Sequence, residues 1–224
     1  MMNNVPKEHK PDEHKTSRRA AGILSLCIFA LILAGVATEH AAGFDDPVRE
    51  FFYSLRGPVM THVAVFITTL ANKYVIIGLC LLLLIVPQTR LTFGVPLSAG
   101  ALGTMLLNTL IKHIVGRLRP DVLHLVVEEG YSFPSGHSIT SMFFYGFAIW
   151  LVWRNVKNPT ARNILTVVLA VPMLLIGPTR VYLGVHFPTD VLAAWCLAIA
   201  AIMLAIEIIR LFEKRRRVKT GGIK

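Results

Sequence analysis

One stretch of the chain decides its fold: TRVYLGVHFPTD, Thr179–Asp190. It carries an arginine, a histidine and an aspartate, and it lies between two apolar runs, at 161–179 and 188–212. Each run approaches the length of about 20 apolar residues that crosses a bilayer as a helix. Charged side chains are costly in hydrocarbon and usually serve a function when they lie beside it. The stretch therefore predicts a helical membrane protein with polar chemistry at the ends of its spans.

The composition agrees with a membrane protein. Hydrophobic residues make up 54% of the 224 residues and charged residues only 16%, which is little charge for a soluble domain of this size. The net charge of +10 comes mostly from basic residues near the two ends of the chain and in short loops beside apolar runs. Such residues orient spans and contact lipid headgroups. We therefore expect a membrane bilayer as partner and no nucleic acid; the sequence indicates no oligomeric state.

Six apolar segments meet or approach the length of a span: 20–38, 70–87, 91–113, 137–153, 161–179 and 188–212. Before the second, Asp46–Leu70 has apolar residues at helical spacing among charged ones, which is typical of an amphipathic helix. We predict an all-α polytopic membrane protein with six transmembrane helices and an amphipathic surface helix before the second span. We expect this helix to bend into the span near Asn72 and Lys73, and a longer, tilted second span is the alternative.

A single membrane domain is expected over 20–213, between a polar tail at 1–19 and a basic tail at 214–224. If the N-terminus is cytoplasmic, 16 of the 23 Lys and Arg residues fall on the cytoplasmic side, as the positive-inside rule requires. The first apolar run is longer than the roughly 7–15 residues of a signal-peptide core, so an uncleaved span is preferred. Both termini are then cytoplasmic, and the charged stretches share the outer face.

The spacing of His186 and Asp190 indicates a catalytic pair. If the chain is helical from His186 onward, the Asp190 carboxylate can accept the Nδ1–H of His186 and leave the Nε2 lone pair aimed at phosphorus. Pro188 suits the first turn of the following helix. Arg180, at the end of the preceding span, presents a planar fork that matches two phosphate oxygens. The alternative is an aspartate at a helix start beside an unrelated histidine.

A second group of cations lies in KHIVGRLRP, Lys112–Pro120. Pro120 keeps Arg119 out of helical geometry, so its guanidinium can turn back toward the membrane mouth, while Lys112 at the end of the third span adds a point charge. Snorkelling to the headgroups is the alternative for Lys112. Arg117 has no assigned place and is either a contact at the rim of the site or a solvated charge.

The third stretch, FPSGHS at Phe133–Ser138, opens the fourth span. Gly136 allows a ligand to approach the backbone, and the N–H groups at a helix start favour an anion. Ser135 either caps the helix or donates its hydroxyl to the ligand. His137 can give a proton near neutral pH, which a departing alkoxide or phosphate requires. Together the three stretches predict a phosphate site with two histidines.

No metal and no cofactor are expected. The sequence has no Cys/His cluster with zinc spacing and no Asp-rich loop of the kind that holds magnesium. The cationic side chains would instead supply the positive charge that stabilises a phosphoryl transition state.

In order and spacing, these stretches resemble the motifs of the type 2 phosphatidic acid phosphatase superfamily, and in particular its membrane branch of bacterial phosphatidylglycerophosphatase B and undecaprenyl pyrophosphate phosphatases. The resemblance implies a helical bundle, an active site at the outer membrane face and a phosphohistidine mechanism that needs no metal. It implies His186 as nucleophile, Asp190 as its orienting partner and His137 as general acid. The residues it implies as phosphate ligands are Lys112, Arg119, Ser135, Gly136 and Arg180. Residues expected to support them are Thr179, Pro134 and Arg117.

One position departs from the family pattern. The family usually has serine immediately before the arginine of the third motif, and here Thr179 stands there. Because threonine keeps the hydroxyl, we expect its contact to survive.

The resemblance implies an enzyme of the bacterial inner membrane that removes phosphate from a lipid of the cell envelope. Undecaprenyl pyrophosphate suits an outward-facing site best, and phosphatidylglycerol phosphate and phosphatidic acid are the other candidates. A lipid-to-lipid phosphotransferase of the same fold is the close alternative. A non-catalytic lipid-binding membrane protein is disfavoured because both histidines are present.

Overall fold

The computed structural model describes residues 13–221, and every regular element in that part of the chain is a helix. The predicted all-helical fold is therefore confirmed. The elements are α1 (Glu13–Ala37), α2 (Ala42–Ser54), α3 (Pro58–Thr69), α4 (Lys73–Ile85), the single turn α5 (Pro87–Thr89), a π-helical turn (Arg90–Gly94), α6 (Val95–Val115), α7 (Gly136–Asn155), α8 (Pro159–Tyr182) and α9 (Pro188–Gly221).

Four helical stretches within the described residues are long and apolar enough to cross a bilayer. They are Thr16–Ala37, Pro87–Val115, Pro159–Tyr182 and Pro188–Arg216. A fifth is obtained if α3 and α4, which meet at an angle of 42°, form one broken span. The six predicted spans are thus matched by four or five candidates.

The predicted span at 137–153 corresponds to α7, which is not among these candidates. Its first turns carry polar residues such as Ser138 and Ser141, and its side chains are largely buried because the helix packs against α6, α8 and α9. Phe143 and Phe147 are each 1% exposed and lie in the centre of the apolar core. Helix α7 is therefore the inner helix of the bundle, and its role as a sixth span stays a prediction.

Close helix packing depends on glycine at two interfaces. A Cβ on Gly100 of α6 would lie 2.1 Å from the ring of Phe143, and one on Gly177 of α8 would lie 2.6 Å from Val191 of α9. Apolar helices gain little by leaving lipid for one another, so their association relies on tight van der Waals packing, for which small residues are suited. These glycines let α7 and α9 approach their neighbours closely enough to assemble the site described below.

The segment predicted as one surface helix consists of two helices, α2 and α3, separated at Leu55–Gly57. The expected bend is present between α3 and α4, where the Asn72 side chain caps α4 by accepting from the Tyr74 N–H at 2.9 Å. A broken span made of α3 and α4 begins at Pro58, whereas we predicted residue 70. Helix α2 packs against α8 and α9, and its placement at a membrane surface stays a prediction.

The predicted tails are partly helical. Helix α1 begins at Glu13 and α9 continues to Gly221, past the predicted end of the membrane domain at 213. An ion pair of 3.2 Å between Arg18 and Glu207 joins these two helices. Residues 1–12 and 222–224 of the predicted tails lie outside the described residues, and the domain boundaries stay predictions.

Candidate active site

The three charged stretches come together where α6 and α8 end and α7 and α9 begin. Gly116 ends α6 in the left-handed conformation (φ 63°), which glycine adopts without steric cost, and the chain then enters an irregular loop that leads to α7 at Gly136. The loop is tied to the far end of the sequence, because the Ser135 N–H donates to the Asp190 carbonyl at 3.1 Å. Arg117 and Asp190, which are 73 positions apart, also meet here, so distant parts of the chain form one polar cluster.

His186 and Asp190 form the pair that their spacing predicted. His186 Nδ1 lies 3.3 Å from Asp190 Oδ2, and the residues are 2% and 0% exposed. The local geometry differs from the expected one, because α9 begins only at Pro188. Asp190 instead lies in the first turn of α9 and reaches back to accept the Phe187 N–H at 2.9 Å, as the acidic residue of a capping box does.

The surroundings of His186 keep its imidazole neutral. Burial lowers the pKa of His186 well below its ordinary value, and the positive charges of Arg180, Lys112 and Arg119 lower the pKa further. Arg119 Nη1 lies 3.3 Å from His186 Nε2, so an Arg119 N–H can donate to Nε2 when the ring proton is on Nδ1. This tautomer has the lone pair of a nucleophile on Nε2.

Arg180 is the most deeply buried cation of the cluster, at 1% exposure. Its Nη1 donates to Thr68 Oγ1 at 2.9 Å, and its Nη2 forms an ion pair with Glu128. Its Nε is buried and has no hydrogen-bond partner. A buried donor without an acceptor is unfavourable by about 1–3 kcal/mol, so Arg180 has unused capacity to bind an anion.

Lys112 and Arg119 point into the same region but bind backbone carbonyls in this structure. Lys112 Nζ donates to the carbonyls of Tyr131 and Ser132. Arg119 donates from Nε to Gly130, from Nη2 to Glu129 and from Nη1 to Val185, at 2.8–3.0 Å. The two cations thus hold the loop over the cluster, a role that the sequence did not indicate.

The beginning of α7 carries the second histidine. Ser135 directly precedes the helix but makes no side-chain cap, and its hydroxyl accepts from Ser138 Oγ at 2.8 Å; of the two alternatives for Ser135, the side-chain cap is not formed, and donation to a ligand stays a prediction. A Cβ on Gly136 would meet Asn108 at 3.4 Å, an ordinary contact. His137 is partly exposed, with its Nδ1 3.7 Å from Glu128. The first N–H groups of α7 have no acceptors within the helix.

Two of the residues expected to support the site, Thr179 and Pro134, are buried. The Thr179 hydroxyl donates to the Ile176 carbonyl of its own helix at 2.7 Å, and its expected contact with phosphate stays a prediction. Pro134 is buried beside Ser135. The third supporting residue, Arg117, lies against Asp190, with Nη1 2.7 Å from Oδ1.

Sequence reasoning missed Glu128. Its carboxylate forms an ion pair with Arg180, lies 3.8 Å from Arg119 Nη2 and faces His137. Burial raises the pKa of Glu128, but the charges of Arg180, His137 and Arg119 outweigh burial, and the pKa is lowered overall. Glu128 is therefore an ionised carboxylate among the cations. The only signal in the sequence is an acidic pair in a loop between two cationic motifs.

No group of three or more His, Cys, Asp or Glu side chains within residues 13–221 is arranged as metal ligands. The positive charge of the cluster comes from Arg119, Arg180 and Lys112.

The family model that describes the PAP2 superfamily matches residues 93–214, more than half of the chain. The chain belongs to the PAP2 superfamily. Phosphatidylglycerophosphatase B of Bacillus subtilis (strain 168) is 33% identical over 190 residues, which cover 81% of this chain and 91% of the relative. The undecaprenyl-diphosphatase of Sulfolobus acidocaldarius is 27% identical over 83% of this chain and 88% of the relative.

The fold is also similar to that of a solved member of the superfamily. The crystal structure of the transmembrane PAP2-type phosphatidylglycerolphosphate phosphatase from Bacillus subtilis superposes with a TM-score of 0.77 at 25% identity, covering 84% of this chain and 96% of that chain. The chain is therefore an integral membrane protein of a lipid phosphatase family. This confirms the family resemblance deduced from the three motifs.

Proposed function

We propose that this protein removes a terminal phosphate from a lipid phosphomonoester or pyrophosphate through a phosphohistidine intermediate. The observation that carries the proposal is the pairing of His186 with Asp190 beside a cluster of cations. A neutral imidazole with its Nδ1 directed at a carboxylate is a nucleophile, and buried guanidinium groups bind the phosphate that it attacks.

In the first step, His186 Nε2 forms a bond to phosphorus and the bond from phosphorus to the leaving oxygen breaks. The electron pair goes to that oxygen, which takes a proton from His137. Asp190 stabilises the positive charge that develops on the His186 ring. Arg180, Arg119 and Lys112, with the Ser135 hydroxyl and the N–H of Gly136, bind the phosphoryl oxygens.

In the second step, water attacks phosphorus and gives a proton to His137. The nitrogen–phosphorus bond breaks, its electron pair returns to Nε2 and phosphate leaves. The proton of His137 is thereby restored for the next cycle. Positive charge held by fixed side chains suffices in this scheme, so we expect activity to persist in a metal chelator; a strict magnesium requirement would contradict the scheme.

Position in the membrane supports a lipid as the substrate. The site lies where apolar helices end, so a headgroup can enter while its acyl or prenyl chains stay among the spans. We propose a six-span protein of the bacterial cytoplasmic membrane with both termini inside and the site outside. Undecaprenyl pyrophosphate is our first candidate, because it is released on that side, followed by phosphatidylglycerol phosphate and phosphatidic acid.

The test compares these three lipids as substrates of the purified protein, with release of inorganic phosphate as the readout. His186→Ala should abolish turnover, whereas His113→Ala should not, because His113 is an exposed histidine that hydrogen-bonds the Thr109 carbonyl of its own helix and otherwise contacts the edge of the Tyr131 ring. Appreciable phosphatase activity in His186→Ala would refute the nucleophile. Transfer of labelled phosphate to a second lipid, with no release of free phosphate, would show that the reaction is phosphotransfer and not hydrolysis.

A further inference from the structure

A buried carboxylate outside all three motifs contacts the beginning of α9. Asp45 of α2 is 0% exposed. Its Oδ1 accepts the Thr189 N–H at 2.9 Å, and its Oδ2 accepts the Thr189 hydroxyl at 2.8 Å. Asp45 thus satisfies one of the N–H groups that a helix start leaves without an acceptor. Thr189 directly precedes Asp190, so α2 is fastened next to the candidate catalytic aspartate.

Arg117 joins the two buried carboxylates. Its Nη2 lies 2.7 Å from Asp45 Oδ2, and its Nη1 lies 2.7 Å from Asp190 Oδ1 and 2.8 Å from the Thr189 hydroxyl. Its guanidinium also lies over the Phe187 ring, with Cζ 3.8 Å from the centroid. A planar fork makes these bonds in one fixed geometry, which the single ammonium of lysine does not reproduce.

These bonds determine how Asp190 faces His186. Oδ1 of Asp190 is held by Arg117, while Oδ2 accepts the Phe187 N–H and faces His186 Nδ1. With Oδ1 fixed, the carboxylate cannot turn Oδ2 away from the ring. The charge of Arg117 also compensates the negative charge of Asp190, which has no exposure to solvent, and a buried charge without a partner is strongly unfavourable.

We infer that Arg117 and Asp45 are positioning residues that act through Asp190 on the nucleophile His186. Arg117 pairs with Asp190 and orients its carboxylate, and Asp45 holds Arg117 in place from α2. The inference rests on the proposed function, because it assigns these residues to the attack by His186. Neither residue contacts the proposed phosphate ligands in the described structure, so their effect belongs to the chemical step and not to substrate binding.

The expected result is a fall in kcat with KM unchanged, because an interaction that orients the nucleophile is made in the transition state. Outer hydrogen-bond partners that orient metal-bound histidines typically contribute about 10–100-fold, and we expect a loss of kcat on the same scale in Arg117→Gln. Arg117→Lys keeps the positive charge but lacks the planar guanidinium, so its kcat should lie between those of wild type and Arg117→Gln. Asp45→Asn should also lower kcat, but should have no further effect in the Arg117→Gln background.

The chain offers a matched control in Arg49. This residue also lies over the Phe187 ring, at 4.9 Å, but its guanidinium pairs with Asp46. Arg49→Gln should therefore leave kcat unchanged.

The experiment measures kcat and KM for phosphate release by the full chain in detergent micelles, with thermal unfolding followed for each variant. Unchanged kcat in both Arg117→Gln and Asp45→Asn would overturn the inference, and so would a rise in KM alone. If Arg117→Gln does not fold, an unchanged kcat in both Asp45→Asn and Arg117→Lys would overturn the inference. The variant His186→Ala separates the proposed function from the positioning role. Phosphatase activity in His186→Ala would refute the proposed function. An inactive His186→Ala together with a fully active Arg117→Gln would refute only the positioning role.

Discussion

Glu128 forms an ion pair with Arg180 inside the cluster that we propose as the phosphate site. A carboxylate and a phosphate present similar oxygens to a guanidinium, so Glu128 uses a donor that the substrate would need. His186, the proposed nucleophile, is only 2% exposed. In the proposed reaction, the phosphate of the substrate takes the place of the Glu128 carboxylate at Arg180.

Replacing Glu128 by glutamine should lower KM for the lipid phosphate. The amide keeps the shape of the side chain but removes the negative charge that competes with phosphate for Arg180. Steady-state kinetics of Glu128→Gln and wild type provide the measurement. Glu129→Gln is the control, because Glu129 is exposed and contacts Arg119 through its backbone carbonyl. An unchanged or raised KM in Glu128→Gln alone would show that Glu128 does not compete with the substrate.

The same ion pair should make stability depend on pH. The pKa of Glu128 in the folded protein is lowered from its ordinary value of 4.5, so its ionised form stabilises the fold. This stabilisation is fully present above pH 4.5 and is lost as the pH falls through the lowered pKa. The melting temperature of wild type should therefore exceed that of Glu128→Gln at neutral pH, and the difference should shrink below pH 4.5. A difference that persists unchanged into that acidic range would contradict this assignment.

The sequence predicted local relationships in the site and failed for distant ones. His186 and Asp190 lie four positions apart, so their pairing could be predicted from spacing, although the helix that this prediction assumed begins only at Pro188. Asp45 contacts Thr189 across 144 positions, a relationship that depends on how α2 packs against α9. Glu128 is positioned by an irregular loop whose path depends on Lys112 and Arg119. Neither dependence leaves a periodic signal in the chain.

The helices illustrate the same limit. Apolar length predicted the spans that face lipid, because lipid contact imposes hydrophobicity on the whole stretch. Helix α7 is surrounded by other helices and begins with polar residues, so hydropathy describes it less well. The division of 46–70 into α2 and α3 was also missed, although Gly57 and Pro58 mark the break.

His137→Ala should slow the release of a poor leaving group far more than that of a good one. A general acid contributes about 100- to 10,000-fold when the leaving oxygen needs a proton, as a lipid alkoxide does. An aryl phosphate whose phenolate is stable without a proton should lose much less activity. Comparing kcat/KM for the two substrates in wild type and His137→Ala measures this. Equal losses of kcat/KM on the two substrates would refute the assignment of His137 as general acid.

A methyl group on Gly100 should destabilise the bundle. The Cβ would lie 2.1 Å from the Phe143 ring, so α6 and α7 would have to move apart. Overpacking of this kind typically costs about 1–3 kcal/mol. Gly103→Ala on the same helix is the control, since a Cβ there meets nothing within 4 Å. Thermal unfolding in detergent should show a lower melting temperature for Gly100→Ala only. Equal melting temperatures would mean that the close α6–α7 contact is not needed for stability.

The orientation of the site can be tested at Val127, which is 94% exposed in the loop over the cluster. In a chain whose native cysteines are replaced by alanine, Val127→Cys should react with a membrane-impermeant thiol reagent applied to intact cells. Lys157→Cys, exposed in the loop between α7 and α8, should react only after lysis, because the positive-inside rule places this basic loop in the cytoplasm. The reverse pattern would put the site on the cytoplasmic face, where lipid pyrophosphates released outside would be beyond its reach. Phosphatidic acid would then become the better candidate substrate.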